Sequence, residues 1–345
     1  MTVTATVDDK VLIERDIADI FYQLQKLRIA AKNMTSHLTS SSFKWVAERL
    51  HKIEKDMQTQ FKGIAEAWSV YQHWLRHVKG IGPTYAVGML AWLRVPVSKA
   101  DTVSQFWTYC GYATEDWCIN CNKRYFDKPG VMENYIQRKI KQLKLAYEKR
   151  KGRKEKWDEN EARKKVQSWI CDCQNPKVIT RAQKRVKGRM VDWNPRVRVL
   201  FWKIGSQLCM VVPPRFKRKG VYRMLYENYK QEYLRKHPEI LNEKGGKGHI
   251  NNMAKHKMVK QFIAHLWKVW RDDLGLPTRS PYIIGKDGHS TVIPPLYDRD
   301  DNEGPVEEMD IADMEDIDMS GSGEDLEPAE GDIDQPEPTK EGANN

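Results

Sequence analysis

Between residues 10 and 35 the apolar positions Ile13, Ile17, Ile20, Leu24, Leu27, Ala31 and Met34 recur at alternating steps of four and three. That spacing places all seven on one seam of a helix and is the heptad pattern of a coiled coil. The polar run TSSS at 39–42 breaks it, and a second series follows at Val46, Leu50, Ile53, Met57, Phe61, Ile64 and Trp68. Two helices of similar length around a short polar turn predict a coiled-coil helical hairpin over residues 1–72. The seam is expected to close internally and also to support a homodimer.

Trp74, Leu75 and Val78 end the next helical stretch, and KGIGP at 79–83 makes a turn. Pro83 suits the first position of the following helix, where its missing N–H costs nothing. That helix is expected to run to about Leu93 and to stop at RVPV. Ser98, with Asp101 three residues on, reads as the cap of another helix that Gly111 ends. An apolar helix is expected from Asn194 to Met210, a tyrosine-rich one over 217–237, and a basic amphipathic one over 251–273. Few strands are expected, so the fold class is mainly α. The expected units are the hairpin (1–72), a helix-hairpin-helix domain split over 73–113 and 194–275, and a cysteine-flanked basic helical insertion (114–193). An irregular segment (276–297) and an acidic tail (298–345) complete the chain.

Charge alters this picture. Residues 298–345 hold 19 acidic side chains against two basic ones, Arg299 and Lys340, which leaves 56 basic and 28 acidic side chains for residues 1–297. A body with a net +28 is expected to face a polyanion, nucleic acid above all, unless the charge serves solubility alone. The tail, rich in Gly, Pro and Ser, is expected to be disordered, and either to shield the basic body, compete with nucleic acid or dock a partner, or simply to solubilise the chain. No secretory signal is visible at MTVTATVDDK, and the apolar run YAVGMLAWL is too short to span a bilayer. The expected setting is cytoplasmic and nucleoid-associated, with no membrane partner.

Two kinds of candidate chemistry emerge. In the glycine-framed turn, Gly80 and Gly82 leave the backbone open to an approaching phosphate. Lys79, Ile81 and Thr84 complete the candidate grip. The competing reading is a tight corner between packed helices. Arg196, Arg198, Lys255, Lys257 and Lys260 are further candidate nucleic-acid contacts on two helices. Second, Cys118 and Cys121 form a C-x-x-C pair, and Cys171 and Cys173 a C-x-C pair. Together they are candidate ligands of a structural zinc ion clamping the base of the insertion, with four thiolates and no open position. Unliganded thiols are the alternative, and Cys110 and Cys209 read as core thiols. His249 and His256 are weaker candidates for phosphate or metal contact than for a plain helix face. The same holds for base stacking by Tyr222, Tyr226, Tyr229, Tyr233, Trp267 and Trp270.

HVKGIGPTYAVGMLAWL, then ADTVSQFWTYCGYA (100–113), NPRVRVLFWKIGSQL (194–208) and HINNMAKHKMVKQFIAHLWKVW resemble the C-terminal transposase domain of the bridge-RNA-guided bacterial insertion-sequence transposases. The resemblance implies a DNA-binding protein with a role in transposition or recombination, with DNA, or structured RNA, as partner. That family cuts DNA with a RuvC-like acidic domain and a serine nucleophile, neither of which is found in this sequence. Thr180 lies nearest the serine's expected place and is the one weak catalytic candidate. Magnesium is implied only if a nuclease domain is supplied by another chain, which is the enzymatic alternative. An RNA-binding or a non-catalytic interaction protein is the other.

Overall fold

The two N-terminal series lie on long helices, α1 (Val7–His37) and α2 (Ser41–Glu66), in a computed structural model that describes residues 7–37, 41–149, 157–278 and 293–298. The helices lie side by side in opposite directions. Phe21 meets Phe61 edge-on with ring centroids 5.1 Å apart, and further along Arg28 Nε donates to Glu54 Oε1 at 2.9 Å. The buried face of α1 coincides only in part with the heptad seam, of which Ala31 is buried. Ala18, Phe21, Gln25 and Arg28, each one position beyond a seam residue, are buried, while Ile20, Leu27 and Met34 are exposed. On α2, Val46 and Ile53 are also exposed. One position along a helix is a rotation of about 100°, and tertiary contacts supply it. Gln25 accepts from Lys203 Nζ at 3.0 Å, and Tyr22 meets Trp92 at 5.2 Å between centroids. Buried polar groups are tolerated where each has a partner. Removing either Arg28 or Glu54 would strand a buried charge, at a cost of about 3–5 kcal/mol.

The chain then makes α3 (Ser69–His73), a 3₁₀ turn (Leu75–His77), α4 (Pro83–Lys99) and α5 (Val103–Cys110). Helix α4 is apolar on nearly every side and is buried as such a helix must be. It does not stop at RVPV. Pro96 lies inside it, and the Trp92 carbonyl that Pro96 cannot bond accepts from Tyr109 Oη at 3.4 Å instead. Ser98 therefore belongs to the last turn of α4. The N-cap of α5 is Thr102, whose hydroxyl accepts the Gln105 N–H at 3.3 Å. Gly111 does end α5, at φ +76°.

Residues 114–182 contain a small sheet that the sequence pattern did not disclose. Strands β1 (Thr114–Cys118), β2 (Lys123–Arg124) and β3 (Val178–Ala182) pair antiparallel in the order β2-β1-β3. Between β2 and β3 the chain makes α6 (Pro129–Lys149) and α7 (Glu159–Gln167), which bury their own cluster of Tyr135, Ile136, Ile140, Val166, Trp169 and Ile170. The strands are two to five residues long and heavily charged, so no apolar alternation announces them.

Helices α8 (Pro195–Cys209), α9 (Val221–Lys236) and α10 (Gly246–Asp273) complete the described elements, with a 3₁₀ turn at Pro238–Asn242. Asn194 caps α8, accepting from the Arg196 and Val197 N–H groups. The expected basic amphipathic helix, α10, is instead the spine of the core. Ala254, Met258, Phe262, Ile263, Leu266, Trp267 and Trp270 are buried in it. Arg271, also buried, donates to the Val97 and Ala100 carbonyls at 2.9 and 3.0 Å and so closes the open end of α4. Residues 293–298 lie over this core as an extended strap. Among the described residues, no helix is long and apolar enough to cross a membrane.

Candidate metal centre and nucleic-acid surface

Cys118 is the last residue of β1, and Asn122, at φ +53°, turns the chain back into β2. Asparagine tolerates that left-handed conformation, and here its Oδ1 also accepts from Trp117 Nε1 at 2.8 Å. The second cysteine pair is brought alongside by backbone bonds. Cys171 N–H donates to the Arg124 carbonyl at 2.7 Å, and Ile119 N–H to the Lys177 carbonyl at 2.9 Å. The long excursion between the pairs is the α6–α7 hairpin, which leaves and returns at one edge of the sheet. All four sulfurs, of Cys118, Cys121, Cys171 and Cys173, lie within 4.8 Å of one another, and Cys118 Sγ is 4.0 Å from Cys173 Sγ. Four sulfurs each about 2.3 Å from a tetrahedral zinc stand about 3.8 Å apart, so the set fits such an ion.

The thiols interact strongly. Burial pushes Cys118 up, but hydrogen bonds from the Cys121 and Asn120 backbone and from Cys171 outweigh it and bring the thiol down to about 7. Cys173 is pushed up to about 12, first by its bond to Cys121 and then by burial. Thiolates this close repel one another, and a cation relieves that repulsion. Cys110 and Cys209 stand apart as core thiols. Burial raises both, Cys209 to about 11.

Several cations of the insertion are consumed in holding it together. Asp192, nearly buried, takes Lys139 Nζ at 2.9 Å and an Arg124 guanidinium nitrogen at 2.7 Å. Burial pushes Asp192 up, yet these partners hold it below its ordinary range. Arg181 lies 3.3 Å above the Trp117 ring and pairs with Glu115 at 3.1 Å. Lys177, Arg185 and Lys187 are exposed and make no ion pair among the described residues.

The residues expected to grip phosphate fare differently. Gly80, Ile81, Gly82 and Thr84 are buried in the corner between the Leu75–His77 turn and α4. Gly80 has φ +93°, and a Cβ there would stand 2.9 Å from Val211 Cγ2, so the glycine answers to chain reversal and close packing. The backbone N–H of Lys79 donates to Asp298 Oδ2 at 2.9 Å. Arg196 pairs with Asp19. Arg198 donates to the Gln183 carbonyl at 2.9 Å and covers Trp193 at 4.7 Å. Lys255 lies 3.3 Å above Trp202, and burial brings its ammonium down to about 8. Lys257 pairs with Glu232 at 2.6 Å and covers Tyr229 at 4.3 Å, and Lys260 covers Trp107 at 4.4 Å. Each of these five helix cations thus has a partner within the protein, and Arg196 is at the same time exposed to solvent.

Thr180 is exposed on β3, and its hydroxyl donates at 2.7 Å to Asp116 Oδ1, the residue opposite it in the ladder. This is a cross-strand pair, and among the described residues the Thr180 side chain bonds to nothing else. His256 stacks on Tyr112 at 4.8 Å, and burial, then Arg198 and Lys260, push it down to about 4. Sequence reasoning passed over two features. The loop before α9 carries the exposed cations Arg215, Lys217, Arg218 and Lys219, and the run RFKRKG was the available signal. Asp298 was grouped with the tail, and nothing in sequence marked its partners. No family model, no curated protein and no solved structure matches the chain.

Proposed function

We propose that this protein binds nucleic acid, DNA in the first place, through a cationic surface on the cysteine module and the loop before α9. One observation carries the reading. From Cys173 to Tyr226 the chain holds 14 Lys and Arg side chains and a single acid, Asp192, and that acid is turned inward onto Lys139 and Arg124. Arg181, Arg196, Lys219 and Arg223 pair with Glu115, Asp19 or Glu227, and the stretch still keeps a large excess of positive charge, as binding to a phosphate backbone requires. In this reading Cys118, Cys121, Cys171 and Cys173 hold a structural zinc that keeps the surface in shape and takes no part in chemistry. The resemblance of the ordered segments to a transposase domain supports a role in DNA transposition or recombination, in which this chain would bind rather than cut. The test is binding of a duplex oligonucleotide as salt is varied. Affinity should fall steeply with little dependence on base sequence. Absence of binding at low salt would falsify the reading.

A homodimer belongs to the same proposal. Ile20, Leu27 and Met34 stand exposed at seven-residue intervals on α1, with Val46 and Ile53 exposed seven apart on α2. A second copy of the hairpin would cover such a stripe as one seam covers another. Sedimentation of the native chain should show a dimer, and Ile20→Lys with Leu27→Lys should convert it to a folded monomer. A native chain that sediments as a monomer removes this part.

A further inference from the structure

The carboxylate of Asp298 lies where two separate chain segments each present a backbone N–H. Lys79 N–H, at the glycine turn, donates to Oδ2 at 2.9 Å, and Val221 N–H, the first residue of α9, donates to Oδ1 at 3.0 Å. Both oxygens are held, as two oxygens of a phosphate diester would be. The site is built by close approach. Gly220 is the N-cap of α9 and supplies no capping side chain. A Cβ on it would stand 2.9 Å from Val211 Cγ1 and 3.7 Å from Lys79 Cβ. The 16-residue helix α9 adds the positive end of its dipole. Behind the turn, Gln207 is 1 % exposed, and neither of its amide atoms has a partner among the described residues. Arg215, Lys217, Arg218 and Lys219 stand exposed on the loop that leads into α9.

The strap that delivers Asp298 is fastened at further points. His265 Nε2 lies 3.0 Å from the Ile293 carbonyl, Trp74 Nε1 donates to the Leu296 carbonyl at 2.9 Å, and Asp298 N–H donates to the His77 carbonyl at 2.8 Å. The chain that follows, residues 299–345, contains 18 acidic and two basic side chains. A polyanion therefore starts from an anion site beside a run of cations.

We propose that this site takes a nucleic-acid phosphate, and that Asp298 occupies it in the free protein as an intramolecular mimic. Binding of nucleic acid then displaces the strap. The inference rests on the nucleic-acid reading above and adds the place and its regulation. Because one anion fills the site at a time, occupancy by Asp298 lowers the apparent affinity by the fraction of molecules in which the site is taken.

The experiment uses the full chain and a duplex oligonucleotide. Asp298→Ala should bind it more tightly, by roughly five- to tenfold, the scale of an anion at a helix N-terminus. Asp298→Asn keeps one acceptor and should fall between the two. In the unaltered chain, adding the duplex should speed hydrogen exchange in 293–298 and slow it in 213–221. Equal or weaker binding by Asp298→Ala beside a native chain that binds overturns the displacement and leaves the nucleic-acid reading standing. A strap that stays protected in the complex does the same without any substitution. If neither chain binds at low salt, the nucleic-acid reading fails and this proposal falls with it.

Discussion

Stripping the metal from the purified protein should collapse residues 114–193 and leave the main helical core folded. The two regions bury separate clusters. The large one joins α1, α2, α4, α5, α8, α9 and α10, while the insertion holds only a handful of buried side chains around Tyr135, Ile136 and Trp169. A core that small does not sustain itself, and an ion held by the four cysteines would supply what it lacks. Structural zinc on a thiolate set contributes about 10–16 kcal/mol of folding free energy near neutral pH. Metal analysis should return about one zinc per chain, as four ligands to one ion require. Chelation, or Cys118→Ser, should expose the backbone of 114–193 to hydrogen exchange while helicity elsewhere persists. Metal-free protein as purified, or unchanged protection in Cys118→Ser, would end the zinc reading.

Charge reversal on the same module is the second large effect. Replacing Lys177, Arg185 and Lys187 together with glutamate should weaken duplex binding by at least about 100-fold at moderate salt. The slope of log affinity against log salt should flatten by about 0.9 for each phosphate contact removed. Because all three side chains are exposed and without ion pairs among the described residues, the melting temperature should hardly move. Lys257→Ala provides the contrast. It breaks the 2.6 Å pair with Glu232 and uncovers Tyr229, so its main effect should be on stability. A triple variant that binds like the native chain, or a Lys257→Ala that abolishes binding in a fully folded protein, would move the surface back to α10.

The helices were legible because their signals are local. Asn194 before Pro195 caps α8, Gly111 ends α5 in a left-handed conformation, and apolar spacing marks α1, α2, α8 and α10. The four cysteines were legible for the same reason: ligand spacing and residue type survive in one dimension, and the structure gathers the sulfurs within 4.8 Å. Two things were not legible. The heptad named a seam, yet α1 turned Gln25 and Arg28 inward because Lys203 and Glu54 were waiting for them. The basic pattern of α10 marked Lys255 and Lys260 as nucleic-acid contacts, and it gave no sign that they lie over Trp202 and Trp107 from other helices. Their pairing depends on α5, α8 and α10 meeting, which no window of sequence contains.

The glycine turn divides along the same line. Its residues alone required a reversal at Gly80 and a helix beginning at Pro83, because backbone conformation is a property of a few consecutive residues. Which anion that reversal meets was decided only when Val221 came beside Lys79 and Asp298 folded back over more than two hundred residues to bridge them. Local sterics and hydrogen-bonding capacity are written residue by residue. The direction of a charge, inward to a partner or outward to solvent, belongs to the packed chain, because burial and partner distance set its energy.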